Sequence, residues 1–232
     1  MRKMRSLTRP PMHGLIRWSG TGEGWPVVRV KICGITDVKD ARLAARLGAD
    51  ALGFNFVPGS PRYIEPARAK AIIAALPPFV SSVGVFANED PDRIMEIARL
   101  CNLDAVQFHG EETPAMVERV TGIRRIKAIR VRNARDIARC ARYRVDAYLL
   151  DAYVPGMRGG TGRTFNWELA RQAVEFGPVI LAGGLTPENV EEAARIVQPY
   201  AVDTASGVEV EPGVKDKNLL AEFIWRVKSL GV

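Results

Sequence analysis

The chain has 232 residues, 47% apolar and 25% charged, with a formal net charge of +7. That is the composition of a globular domain with a sizeable core, and no stretch reaches the ~18 uninterrupted apolar residues of a membrane helix. Three cysteines without regular spacing exclude a disulfide framework and point to a reducing, cytoplasmic compartment; two histidines without a Cys-x-x-Cys pair leave little scope for a metal site.

Residues 1–28 show no periodicity and carry five basic residues against one acidic, a net +4, whereas the other 28 basic and 25 acidic residues leave +3. The segment lacks the apolar h-region of a secretory signal and reads as a basic, disordered N-terminal extension. The nearly balanced body disfavours a nucleic-acid-binding module, which needs clustered Lys and Arg.

From Arg29 onward, short apolar or β-branched runs alternate with Ala-rich amphipathic segments. The predicted strands are Val30–Cys33, Ala51–Phe56, Val80–Phe86, Ala105–Phe108, Arg125–Arg130, Ala147–Leu150, Val179–Ala182 and Ala201–Asp203. Between them fall predicted helices Val38–Leu47, Pro66–Leu76, Pro91–Leu100, Thr113–Val120, Ala134–Tyr143, Trp167–Phe176, Pro187–Val197 and Lys217–Leu230. Asp37, Asp90, Glu112–Pro114, Asn133 and Thr186–Pro187 supply helix-start signals. Near-continuous apolar strands joined by helices imply a parallel sheet covered on both faces. Eight units in about 200 residues predict one domain, 29–232, folded as a (β/α)8 barrel. The alternative, an open doubly wound sheet, usually carries G-x-G-x-x-G after its first strand, and Cys33-Gly34-Ile35-Thr36-Asp37 does not match it.

In such a barrel the active site lies where strands end. Those ends offer Cys33, Asn55, Gln107 and His109, Asp151, Gly183 and Gly184, then Asp203, Ser206 and Gly207. Cys33 faces the mouth, and a free thiol with a pKa near ~8.5 needs only a modest downward shift to serve as a base. Cys101 and Cys140, on helices, read as small hydrophobes. Asp151 closes the sixth strand some 15 residues before the next helix, too far to cap it, and gives an acid opposite the thiol. The glycine-bearing loops after strands seven and eight are where this fold commonly binds phosphate on backbone N–H groups. Arg62, in the second strand–helix loop, can fork onto a carboxylate. The glycine-rich stretch Val154–Phe165 lacks the Gly-Lys-Ser/Thr of a P-loop and reads as a lid or binding loop.

Several motifs in order resemble the phosphoribosylanthranilate isomerase family: Lys31-Ile-Cys-Gly-Ile-Thr, Gly53-Phe-Asn-Phe with Ser60-Pro-Arg-Tyr-Ile, Gln107-Phe-His-Gly, Leu149-Leu-Asp, Gly159-Gly-Thr-Gly with Phe165-Asn-Trp, Leu181-Ala-Gly-Gly-Leu, and Ser206-Gly-Val-Glu with Pro212-Gly-Val-Lys-Asp. The resemblance runs from Arg29 to about the C-terminus. Asn166 stands where the family usually has Asp, and both cap helices. The resemblance implies an Amadori rearrangement of N-(5-phosphoribosyl)anthranilate in tryptophan biosynthesis, with Cys33 as base and Asp151 as acid. It gives Arg62 the anthranilate carboxylate, gives the phosphate to Gly183, Gly184, Ser206 and Gly207, and leaves supporting roles to His109 and Asp203. It also implies a small phosphorylated aminosugar substrate, no cofactor, no metal, no nucleic-acid or membrane partner, and a monomer or homodimer. A related barrel isomerase of histidine biosynthesis would carry aspartates as both base and acid; Cys33 argues against it.

Overall fold

A computed structural model describes residues 27–151 and 167–231. Residues 1–26 and the stretch 152–166, which contains Asn166 and the expected binding loop, lie outside the described residues. Eight parallel strands form a closed barrel in chain order: β1 (Arg29–Ile32), β2 (Ala51–Asn55), β3 (Ser81–Phe86), β4 (Ala105–Phe108), β5 (Arg124–Arg130), β6 (Ala147–Asp151), β7 (Val179–Ala182) and β8 (Ala201–Thr204). Pairing of β8 with β1, Arg29 beside Ala201 through Ile32 beside Thr204, closes the ring. The helices are α1 (Val38–Leu47), α2 (Pro66–Ile73), α3 (Pro91–Cys101), α4 (Pro114–Arg119), α5 (Ala134–Ala138), α6 (Trp167–Gln172), α7 (Val190–Val197) and α8 (Lys217–Lys228). An antiparallel hairpin, β9 (Glu209–Glu211) and β10 (Val214–Lys215), stands between β8 and α8.

Local chemistry sets these boundaries. The Asp37 and Asp90 side chains accept from the backbone N–H of the second residue of α1 and α3, and Gly48 ends α1 at φ 102°. At the bottom of the barrel the residue preceding an even-numbered strand ties down its odd-numbered neighbour. Asp50 Oδ2 accepts from Val30 N, Asp104 Oδ2 from Ser82 N and Asp146 Oδ2 from Arg125 N, at 2.7–2.8 Å. Tyr200 occupies the same place before β8, and its ring takes the Arg29 guanidinium at 4.5 Å.

Several expected boundaries move. The helix expected over 134–143 is α-helical only to Ala138 and ends as a 3₁₀ turn, and that over 167–176 changes in the same way after Gln172. Thr186–Pro187 does not open α7: Asn189 accepts from Thr186 N and donates to Gly184 O, which folds a turn first. Val28, assigned from sequence to the extension, is 4% exposed and belongs to the core.

The strands' two faces bury different layers. Val30, Ile32, Leu52, Phe54, Val106, Phe108, Leu150 and Leu181 join the large cluster that includes the buried faces of the helices. The barrel interior is filled by Ala105, Ala128, Ala147, Ala182 and Ala201 with Val83, Ile126, Leu149 and Ile180. Bulky branched residues usually dominate such interiors. The alanines here leave room for the side chains of Lys31 and Gln107, both buried on interior positions.

Candidate active site

Strand alternation carries the interior columns upward from this alanine-rich layer. The next interior position on each strand lies at its C-terminal end: Cys33, Asn55, Val85 and Gln107, then Arg130, Asp151, Ala182 and Asp203. All eight line one cavity of about 410 Å³, to which the loops add Ser60, Arg62, His109, Gly183, Gly184 and Ser206. A second hollow of about 360 Å³, between α1 and α2 on the outside, is lined by Arg42, Arg68 and Ile72 among others and lacks such convergence.

Cys33 is partly buried just above β1. Below it Lys31 Nζ meets Asp203 Oδ1 at 2.8 Å, and its charge acts on the Cys33 thiol. Lys215 Nζ donates to Cys33 O at 2.6 Å and to Glu209 Oε1 at 2.7 Å. Burial pushes the Cys33 thiol up; Lys31 and Lys215 pull it down, Asp203 pushes it up, and the balance lies above the ordinary value. The modest downward shift that would make this thiol a base near neutrality is absent: desolvation outweighs the cations in the substrate-free protein.

Arg62 comes from the β2–α2 loop, where Ser60 Oγ accepts from Arg62 N and Asn55 Nδ2. It forks onto a carboxylate of the chain itself: Nε reaches both oxygens of Glu209 at 3.0 Å, and Nη2 bonds Oε2. Burial raises the Glu209 carboxyl, but hydrogen bonds from Arg62 and Lys215 and their charges hold it below the ordinary range.

Across the mouth, His109 Nε2 lies 3.4 Å from Asp151 Oδ2, and its Nδ1 lies 2.9 Å from Gln107 Nε2. An amide nitrogen only donates, so Nδ1 accepts and the ring proton sits on Nε2, aimed at Asp151. Gln107 Oε1 is buried without a hydrogen-bond partner among the described residues. The loop carrying His109 is held by a buried pair, Lys127 with Glu112 at 3.0 Å, each 1% exposed. Lys127 also donates to Phe108 O and Gly110 O, while Glu112 Oε1 accepts from Asn88 N and Gly110 N. Within the expected start Glu112–Pro114, Thr113 caps α4 and Pro114 opens it, while Glu112 serves the loop.

Gly183 and Gly184 adopt φ 90° and 68°, conformations side chains rarely take, and both line the cavity. Ser206 opens a 3₁₀ turn beside them. Gly207 is not among the cavity-lining residues, and its glycine has another cause. A Cβ there would lie 1.9 Å from Leu185 O, where the turn packs on the β7–α7 loop.

Cys33, Arg62, His109, Asp151, Gly183, Gly184, Asp203 and Ser206 thus share one cavity. Arg130, Lys31, Glu209 and Lys215 are additions. Counting two residues back from Cys33, or along Ile126 and Ala128, would have placed Lys31 and Arg130 inside the barrel. No local signal marks the Glu209 contact with Arg62, which spans 147 residues. No cluster of three or more His, Cys, Asp or Glu that could hold a metal ion occurs among the described residues.

A thiol, a carboxyl group 3.4 Å from an imidazole and two glycines at positive φ, gathered at the mouth of a closed parallel barrel, have the layout of a (β/α)8-barrel enzyme site. Residues 30–226 match the family model of N-(5'phosphoribosyl)anthranilate (PRA) isomerase, and the chain belongs to that family. It is 54% identical over 206 residues to the N-(5'-phosphoribosyl)anthranilate isomerase of Geobacter metallireducens, covering 88% of this chain and all of the relative. The crystal structure of the phosphoribosyl anthranilate isomerase of Thermotoga maritima is similar at a TM-score of 0.83 and 46% identity, over 88% of this chain and all of that one. A structure of such an enzyme in complex with reduced 1-(O-carboxyphenylamino)-1-deoxyribulose 5-phosphate is similar at 0.80 and 44%, with the same coverage.

Proposed function

We propose that Cys33 is the general base and Asp151 the general acid of the isomerisation that this chain catalyses as a family member. The reaction is the Amadori rearrangement of N-(5'-phosphoribosyl)anthranilate to 1-(2-carboxyphenylamino)-1-deoxyribulose 5-phosphate in tryptophan biosynthesis. Asp151 protonates the ring oxygen, the C1–O bond breaks, and the anthranilate nitrogen supplies the electron pair of the resulting iminium. The Cys33 thiolate then takes the C2 proton. The C2–H electrons form C1=C2 and return the nitrogen to a neutral amine, and the enolamine tautomerises to the ketone. His109 holds its Nε2–H against the carboxylate that Asp151 becomes.

Arg62 binds the anthranilate carboxylate with the guanidinium edge that Glu209 leaves open. The phosphate sits on Gly183, Gly184 and the Ser206 turn, which Gly207 seats, and Asp203 acts from the cavity floor. C2 is oxidised as C1 is reduced within one substrate molecule, with Asp151 and Cys33 relaying the protons, so the chemistry calls for no redox cofactor. The observation that carries this reading is the shared cavity of Cys33, Asp151, Arg62 and the two glycines.

The test is loss of phosphoribosylanthranilate fluorescence with wild type, Cys33→Ala and Asp151→Asn. A large fall in kcat for both variants is expected; wild-type kcat in either removes that residue from its role. We read the chain as cytoplasmic from its free cysteines; no helix of the described residues is long and apolar enough to cross a membrane. Its assembly is a monomer or a homodimer, which sedimentation velocity resolves.

A further inference from the structure

The acid–base scheme leaves Lys31, the partner of Asp203, without a task. Lys31 and Asp203 lie side by side in the register of β1 and β8, inside the barrel, with side chains 3% and 9% exposed. For stability alone such a pair is a poor choice, since well-packed apolar residues of similar volume usually do as well or better. Yet the interior is thinned to alanine around it. Cys33 is the next interior position above Lys31, and the Lys31 ammonium, bonded to Asp203 Oδ1 at 2.8 Å, is near enough for its charge to act on the Cys33 thiol.

We propose that Lys31 is a positioning residue for Cys33: its ammonium, fixed in the barrel interior by Asp203, stands beneath the sulfur where the thiolate charge forms. This rests on Cys33 being the base. The groups facing Cys33 from each neighbouring element are Lys31 of β1, Asp203 of β8, Lys215 of β10 and Arg62 of the β2–α2 loop; Glu209 of β9 lies behind the last two. Asp151, His109 and Arg130 stand across the mouth. The near set carries three positive and two negative charges, and a thiolate completes the neutralisation.

Burial raises the thiol, and Lys31 is the largest opposing influence, ahead of the unfavourable charge of Asp203. Before substrate turns over, the thiol proton leaves to solvent; the C2 proton then takes its place on sulfur. Lys31 gives up no proton and touches no reacting atom.

The test is the thiolate midpoint of Cys33, read by absorbance at 240 nm in the substrate-free protein. The Cys33→Ala form of each variant is subtracted to remove Cys101 and Cys140. Lys31→Met should raise the midpoint by about 1–3 units, the effect of a nearby opposite charge. Asp203→Asn should lower it, and Lys31→Met with Asp203→Asn should fall between Lys31→Met and wild type. A purely structural role predicts no such order. If the single Lys31→Met protein does not fold, because Asp203 is left buried and unpaired, the double variant decides: its midpoint must lie above that of wild type. A folded double variant with the wild-type midpoint overturns the proposal. The base assignment is judged separately, since wild-type kcat in Cys33→Ala would remove it while leaving the titration readable.

Discussion

Arg62 and Glu209 are locked edge to edge, Nε at 3.0 Å from both carboxylate oxygens, across 147 residues of sequence. The contact joins the β2–α2 loop to the hairpin after β8 and leaves only the outer guanidinium edge to meet a substrate carboxylate. Hydrogen bonds to charged groups contribute about 1.5–3 kcal/mol. Glu209→Gln frees Arg62 to turn, so KM should rise by roughly 10- to 100-fold with a smaller change in kcat. Arg62→Lys loses the fork and should behave similarly. Steady-state kinetics with an unchanged KM in both variants would remove this pair from substrate binding.

The same carboxylate makes a stability prediction with a definite sign. Glu209 is held below the ordinary range in the folded state, although burial alone would raise it. A depressed folded value gives stability that is present above the unfolded value, near ~4.3, and lost as pH falls through the folded one. Thermal melts should show Glu209→Gln less stable than wild type at pH 7. The gap should close below about pH 4; a gap constant down to pH 3 would contradict it.

A raised Cys33 thiol predicts that kcat/KM climbs with pH beyond the ordinary thiol value of ~8.5. Cys33→Ala should lose about 10²–10⁴ in kcat. Iodoacetamide modification of Cys33 should follow the same limb; a limb at or below neutrality would refute the upward shift.

Much of this site is legible in the sequence because a barrel converts a local period into a place. Alternation of two along each strand puts Cys33, Asn55, Gln107, Asp151 and Asp203 at the mouth before any fold is known. What stays hidden is pairing between distant elements: Lys31 with Asp203 spans 172 residues, and Glu209 joins Arg62 and Lys215. Glu112–Pro114 does mark the start of α4 through Thr113 and Pro114, but that Glu112 pairs with Lys127 on the next strand carries no local signal. The direction of the Cys33 shift was equally out of reach, since it depends on how deeply the thiol sits. The close approach of Gly207 to Leu185 O, which also requires a glycine there, carries no signal in the sequence.

Gly53 bears directly on the base. A Cβ there would lie 2.7 Å from Cys33 Sγ and 3.1 Å from Cys33 Cα, so Gly53→Ala must displace Cys33. Overpacking of this kind costs about 1–3 kcal/mol, which leaves a folded protein, and a misplacement near 1 Å can cost ~10²-fold in rate. A Tm lowered by a few degrees with kcat down by about that factor is expected. An unchanged kcat would mean that the thiol tolerates the shift.

The buried Lys127–Glu112 pair should govern both stability and the His109 loop. Removing one partner of such a pair costs about 3–5 kcal/mol because the other charge is left uncompensated. Glu112→Ala also frees Asn88 N and Gly110 N. Denaturant melts should show the loss, and kcat should fall as His109 loses its fixed position. Stability within 1 kcal/mol of wild type would show the pair to be dispensable.

The last prediction separates His109 from Asp151. The ring proton sits on Nε2 because Gln107 donates to Nδ1, so His109 presents a donor to Asp151 at 3.4 Å. If Asp151 is the acid and His109 acts only through it, the two residues form one unit whose effects do not add. Asp151→Asn cannot donate a carboxylic proton and should lower kcat by about 10²–10⁴. His109→Ala should cost less, because the acid remains and only the stabilisation of its conjugate base is lost. The double variant should then be no slower than Asp151→Asn alone. Gln107→Leu, which frees the ring to take either tautomer, should reproduce part of the His109→Ala loss and likewise add nothing to Asp151→Asn. Were His109 itself the acid, Asp151→Asn would keep most of the rate and the double variant would fall to the His109→Ala level. Single-turnover rates for the five variants and wild type, with chemistry isolated from product release, distinguish the two schemes.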